Sequence, residues 1–233
     1  MTRQEIAHNV DEINKRIEVS AKKSGRNPDD ITLIAVSKTV DADVIRCAYD
    51  HGIRDFGENK VQEIMNKYDK LPGDVRWHLI GHLQKNKVKY IIDKVVMIHS
   101  VDSYSLIDEI ESKAAKCDKV MDILLQVNVS GEESKFGVSP DEVLDYVRYI
   151  SQKPHIRLRG LMTIAQYAQN TEETRPIFAK LSEIYIDIKQ ERLDNVYMDY
   201  LSMGMSNDFE VAIEEGANLI RVGTSIFGER HYL

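Results

Sequence analysis

The chain has 233 residues, with 31 Lys and Arg against 38 Asp and Glu, a formal net charge of −7. Hydrophobic residues make up 42% and charged residues 30%, the balance of a globular protein long enough to bury a core, which excludes disorder, collagen and coiled coil. Net acidity without a basic run argues against a nucleic-acid partner. No apolar run approaches the length of a bilayer span, and the charged N-terminus lacks the apolar centre of a signal peptide. Cys47 and Cys117 lie within helical patterns, far apart and without a histidine at ligand spacing, so they read as packing residues rather than a disulfide or zinc site. These features give the expectation of a cytoplasmic chain with no membrane segment.

Taken in order, the sequence opens with Thr2 and Glu5 at capping-box spacing, followed by an apolar stripe at Ile6, Val10, Ile13 and Ile17. Short apolar, β-branched runs then alternate with longer segments of helical period. The candidate strands are 31–38, 53–58, 76–81, 95–102, 121–129, 156–164, 196–204 and 219–228. Several are apolar throughout, as strands covered on both faces are. Ser139, Pro140 and Glu142 mark a helix start, and Gly25, Gly52 and Gly216 follow helical patterns where a left-handed residue ends a helix. A leading helix followed by eight β-then-α units predicts a (β/α)8 TIM-type barrel, one domain over 1–233. An open doubly wound sheet is the alternative, because pattern alone does not reveal closure.

Barrel sites lie at the C-terminal ends of the strands. There the sequence offers Lys38, then Glu58 and Asn59, His78 and His82, Ser100 and Asp102, Asn128, Thr163, the stretch from Ser202 to Ser206, and Arg221 through Thr224 within the eighth strand. The last two groups form a pair of loops that often holds phosphate. Ser206 leads into a predicted helix whose first N–H groups would face an anion, Gly223 permits close approach, and Thr224 adds a hydroxyl. Each also has a plainer reading as a cap or turn residue. A lysine ending a central strand inside a barrel mouth is partly desolvated, which lowers its pKa and frees its amine as a nucleophile. Lys38 with a phosphate site therefore suggests a Schiff base with a phosphorylated aldehyde; alone it reads as a solvated lysine at a strand end. His78 reads as a hydrogen-bonded core histidine, Glu58 and Asn59 as helix caps, and 83–90 as a solvated helix start whose Lys85, Lys87 and Lys89 could attract an anion.

Six blocks, AVSKT (35–39), FGENKVQE (56–63), WHLIGHLQKNK (77–87), LMTI (161–164), LSMGMSNDFEVAI (201–213) and IRVGTSIFG (220–228), together resemble the pyridoxal phosphate homeostasis protein family, the single-domain relatives of the alanine racemase N-terminal barrel. The resemblance implies pyridoxal 5'-phosphate (PLP) as cofactor, carried by Lys38 as an internal aldimine. It implies that Ser206, Gly223 and Thr224 hold the phosphate, that Arg221 faces the pyridine nitrogen, and that Asn59 and Ser202 line the pocket. His82 falls at a position expected to vary and takes no role. An arginine partner leaves the ring nitrogen neutral and the cofactor a weaker electron sink than an aspartate partner would.

In racemases of this fold a second domain brings a tyrosine to the opposite face of the cofactor; here the barrel accounts for most of the length, so an open mouth is expected. The reading is a PLP carrier acting in vitamin B6 and amino-acid homeostasis without robust catalysis, as a monomer whose partners are PLP and PLP-dependent apoenzymes or amino acids. Two alternatives stay open. One is a PLP-dependent amino-acid racemase whose second base is among the 11 tyrosines. The other is a cofactor-free barrel enzyme acting on a phosphorylated sugar.

Overall fold

The alternating pattern closes into a barrel. The computed structural model describes residues 1–132 and 135–228, and its eight strands pair in sequence order around a closed ring. They are β1 (Thr32–Val36), β2 (Asp55–Glu58), β3 (Arg76–Leu79), β4 (Val95–Val101), β5 (Met121–Gln126), β6 (Ile156–Met162), β7 (Val196–Ser202) and β8 (Leu219–Val222). The helices are α1 (Arg3–Lys23), α2 (Ala42–Asp50), α3 (Val61–Lys67), α4 (Tyr104–Lys116), α5 (Val143–Ser151), α6 (Arg175–Gln190), α7 (Phe209–Glu214) and α8 (Thr224–Phe227). The open-sheet alternative is excluded by the pairing of β1 with both β2 and β8.

Two layers of apolar side chains hold the ring. Outward-facing strand residues such as Phe56, Trp77, Leu79 and Ile123 are buried under the helices with Phe178 and Ile107, each stabilising the fold by about 1.5–3 kcal/mol. Inside, Ile34, Met97, Leu124, Met162 and Leu219 form a smaller cluster. Side chains of a strand alternate faces, so residues two positions from these point inward as well. That parity directs His99 and Arg221 into the barrel.

The expected punctuation is present. Glu5 N–H donates to Thr2 and Thr2 N–H to the Glu5 carboxylate, closing the capping box of α1; Glu142 accepts from both the N–H and the hydroxyl of Ser139. Gly25, Gly52 and Gly216 all take positive φ. The stripe Ile6, Val10, Ile13 and Ile17 is buried where α1 packs on α2, α7 and α8. Arg16 reaches Glu210 of α7 through a two-pronged pair at 2.8 and 2.9 Å, and Asn9 donates to the Ile226 carbonyl of α8 at 3.0 Å. The leading helix thus braces the two short helices behind the seventh and eighth strands.

Three expectations are corrected. The unit after β3 carries a six-residue 3₁₀ helix, Lys85–Tyr90, in place of an α-helix. The eighth strand stops at Val222, because Gly223 leaves the extended region at φ −120, ψ −70 and Thr224 begins α8. Cys117 is not a packing residue: it is exposed at the C-terminal cap of α4, whereas Cys47 is part-buried in α2.

Candidate functional site

The alternation Ile34, Val36, Lys38 carries the β1 pattern two residues past the strand and turns Lys38 into the barrel mouth, where it is half-buried. The following residue, Thr39, sits at φ +62, a left-handed conformation that costs a β-branched residue on the order of 1–3 kcal/mol. Below it, the Lys67 ammonium donates at 2.9 Å to both the Ser37 carbonyl and the Glu58 carboxylate, and the Ser37 hydroxyl donates to Glu58 at 2.7 Å. Burial lifts the Glu58 carboxyl above its ordinary range, while Lys67 and the two hydrogen bonds oppose the shift. Gly81 admits the next loop: a Cβ there would lie 2.4 Å from the Asn59 carbonyl oxygen, so only glycine lets the β3 loop press against Asn59.

On the other side of the mouth, the loops after β7 and β8 meet. The Gly223 N–H donates to the Ser206 hydroxyl at 3.2 Å. Ser206 does not cap the helix that follows; Asp208 stands at that position, and its carboxylate accepts from the Met205 N–H at 2.6 Å. Gly204, at φ +88, lets the chain turn there, and a Cβ would fall 2.6 Å from that of Ala212.

Arg221 lies deeper, 4% exposed in β8. Its guanidinium donates to the Ser202 hydroxyl and, at 2.9 Å, to the Thr163 carbonyl. Burial lowers its pKa to about 10, with the Asp208 charge opposing, so it remains a cation at neutral pH. Behind Ser202 lies His99, whose Nδ1 is 3.1 Å from the hydroxyl; His99 Nε2 is 3.0 Å from His78 Nδ1, and His78 Nε2 is 3.0 Å from Asp55. Burial above all, and then the neighbouring His78 ring and the Arg221 charge, hold the His99 pKa well below the ordinary histidine value, so His99 is neutral.

Lys38, Asn59, Ser206, Arg221, Gly223 and Thr224 all line one cavity of about 480 Å³, a size typical of small-molecule sites. Ser202 is not among the lining residues; it is fully buried and lies behind Arg221. His78 is the hydrogen-bonded core residue that the sequence suggested. Ser100 donates to the Gly81 carbonyl, Asn128 to the Glu132 carbonyl, and Thr163 to the Val127 carbonyl, so these three serve the strand-end loops. His82 stands at the rim, stacked on Phe136 at 3.9 Å between ring centres and 3.6 Å from Asp102. Phe136 and Tyr167, exposed by 54% and 79%, complete the rim. Sequence reasoning missed His99, Asp208 and the rim residues Phe136 and Tyr167, and gave the third rim residue, His82, no role. The signal for His99 is its two-residue offset from the inward Met97; the rim residues lie on loops that carry no period.

A lysine, a buried arginine, a pair of hydroxyl-bearing loops and one cavity in the mouth of a (β/α)8 barrel define a barrel of the alanine racemase type. Residues 2–231 match the model of the family described as alanine racemase, N-terminal domain. A pyridoxal phosphate homeostasis protein of Aquifex aeolicus is 48% identical over 219 residues, covering 94% of this chain and 95% of the relative. The chain belongs to the pyridoxal phosphate homeostasis protein family. PipY of Synechococcus elongatus, solved with PLP bound, is similar at 34% identity and a TM-score of 0.83, over 96% of this chain and 100% of that one. Alanine racemase of Corynebacterium glutamicum shares the fold, at 16% identity and a TM-score of 0.73, over 97% of this chain and 61% of the racemase.

Proposed function

We propose that this chain binds PLP in the barrel mouth, holds it as a Schiff base on Lys38, and acts in intracellular PLP and amino-acid homeostasis. The observation that carries this reading is the convergence of Lys38, the Ser206–Gly223–Thr224 loops and Arg221 on one cavity. The donor set fits the cofactor group by group: an amine for the aldehyde carbon, hydroxyl and N–H donors for the phosphate, and a guanidinium whose N–H groups suit the lone pair of an unprotonated ring nitrogen. The family membership and the PLP-bound relative support the same ligand.

Each part of the site has a distinct task. The Lys38 amine attacks the aldehyde carbon and water leaves; release is hydrolysis or exchange with an incoming amine. Ser206 and Thr224 hold the phosphate while that bond is made or broken. Arg221 cannot give up its proton to the ring, so the ring nitrogen stays neutral. Bound PLP supplies an electron-withdrawing ring, weakened as a sink by this partner. An open rim suits exchange with amino acids or PLP-dependent apoenzymes, and we assign the chain to the cytoplasm as a monomeric carrier. No helix among the described residues is long and apolar enough to cross a membrane.

Tyr167 gives the racemase reading its one specific support, because it is the tyrosine lining the cavity among the described residues. Incubation of the PLP-loaded chain with L-alanine, followed by chiral analysis, separates the two. The carrier reading expects no turnover above that of free PLP. Turnover that Tyr167→Phe abolishes would establish the racemase instead.

A further inference from the structure

The histidines behind Ser202 are linked to each other and to both ends of the barrel. Arg221 sits near the mouth in β8, Ser202 ends β7, His99 lies within β4, His78 within β3, and Asp55 and Arg76 begin β2 and β3 at the floor. Consecutive contacts span the interior: Arg221 to Ser202, Ser202 to His99 at 3.1 Å, His99 to His78 at 3.0 Å, His78 to Asp55 at 3.0 Å, and Arg76 Nε to Asp55 at 2.8 Å. His99 and Ser202 are fully buried, and His78, Arg221 and Asp55 are each less than 8% exposed, at 4%, 4% and 7%. His99, His78 and Asp55 are all absent from the lining of the cavity.

The order of donors in this chain follows from chemistry. An ionised carboxylate only accepts, so His78 Nε2 carries the hydrogen that faces Asp55. In a neutral ring Nδ1 is then an acceptor, and His99 Nε2 must donate to it. His99 Nδ1 is left as an acceptor, so the Ser202 hydroxyl donates to it and receives its own hydrogen bond from Arg221. Every bond therefore points one way, from the guanidinium at the mouth to the carboxylate at the floor. Such an aligned chain strengthens each of its members and leaves the terminal donor little freedom to rotate.

We infer that His99 and His78 are positioning residues for Arg221: through Ser202 they aim its guanidinium at the ring nitrogen of the ligand and tie that aim to the Asp55–Arg76 pair on the barrel floor. The inference rests on the proposed PLP site, in which Arg221 meets the ring nitrogen. It assigns a task at the mouth to residues that touch no ligand.

The test has two arms. The first uses the ligand-free chain and ¹⁵N NMR of the imidazole rings. The expected result is two neutral rings, each protonated at Nε2, with the His99 signals shifting in Asp55→Asn although His99 does not touch Asp55. A His99 ring protonated at Nδ1, a doubly protonated His78, or His99 signals indifferent to Asp55→Asn would overturn the one-way chain.

The second arm compares binding of PLP with that of its deaza analogue, in which the ring nitrogen is replaced by CH. Loss of one hydrogen bond to a charged group predicts a preference for PLP of about tenfold or more in the unaltered chain. In His99→Leu that preference should shrink to within about threefold, while the affinity for the deaza analogue stays close to that of the unaltered chain. Should His99→Leu fail to fold, His99→Gln and Asp55→Asn carry the same comparison. An unaltered chain that does not distinguish the two ligands would sink the underlying assignment of Arg221, and the positioning role with it. A preference that survives intact in the variants would sink the positioning role alone.

Discussion

Lys67 and Glu58 face each other at 2.9 Å, their side chains 8% and 0% exposed. The pair joins the ends of two strands. Lys67 also holds the Ser37 carbonyl, so the residues leading into Lys38 and Asn59 are tied to one buried charge. The second Glu58 oxygen has no hydrogen-bond partner among the described residues, so the carboxylate is held through its other oxygen by the Ser37 hydroxyl and by Lys67, which supplies the opposite charge. A buried pair of this kind is weak evidence of net stabilisation, but breaking it is expensive.

Lys67→Met should therefore cost about 3–5 kcal/mol in urea unfolding, because Glu58 is left as an unpaired buried charge. Glu58→Gln in the same chain should recover part of that loss. In the single variant the folded-state pKa of Glu58 lies further above its unfolded value, so the folded chain binds more protons. The deficit should then shrink as pH falls towards the ordinary carboxylate range and grow as pH rises. A deficit independent of pH and of Glu58 would assign the loss to packing alone.

Asp55 gives the opposite pH dependence. Burial works against its charge, but hydrogen bonds from Arg76 and His78 outweigh that and bring the carboxyl down from 3.8 to about 2. A depressed pKa contributes stability above the unfolded value, here about 2 kcal/mol, which is lost as pH falls from about 4 to about 2. The stability difference between the unaltered chain and Asp55→Asn should therefore narrow across that window. A constant difference would show that the contacts to Arg76 and His78 do not depend on its charge.

Gly81→Ala tests how the mouth is assembled. The added methyl would meet the Asn59 backbone at 2.4 to 2.9 Å, and backbone yields less readily than a side chain. The expected cost is about 1–3 kcal/mol of stability, with weaker PLP binding because Asn59 is displaced from the cavity wall. Unchanged binding would indicate that the position of Asn59 is immaterial to the ligand.

Ser206→Ala and Thr224→Ala should each weaken PLP binding by about tenfold, the worth of one hydrogen bond to a charged group. Binding of pyridoxal, which lacks the phosphate, should be almost unaffected. Equal losses for the two ligands would remove these hydroxyls from the phosphate site.

Much of the architecture was legible because one barrel strand and its helix repeat the same pattern. Strand β1 shows how far that goes: an apolar run fixed the element, and its alternation carried Lys38 inward. The end of β8 shows the limit. Val222-Gly223-Thr224 reads as a continuing strand, yet the turn at Gly223 and the bracing of α8 by α1 end it early. The motif around Ser202 marks it as a pocket residue, but its hydroxyl is engaged between Arg221 and His99. His99 carried no local signal beyond its parity, since its partners His78 and Ser202 come from distant strands. The rim formed by His82 and Phe136 depends on two loops meeting, which no local pattern encodes.

The central claim is that Lys38 carries the cofactor. The chain should be loaded with PLP, reduced with borohydride and digested, and the modified peptide mapped by mass spectrometry. The account predicts a visible absorbance band that borohydride removes, with the pyridoxyl group fixed on Lys38 and no such adduct in Lys38→Ala. A chain that stays colourless with PLP, or a label fixed on another lysine, would contradict it.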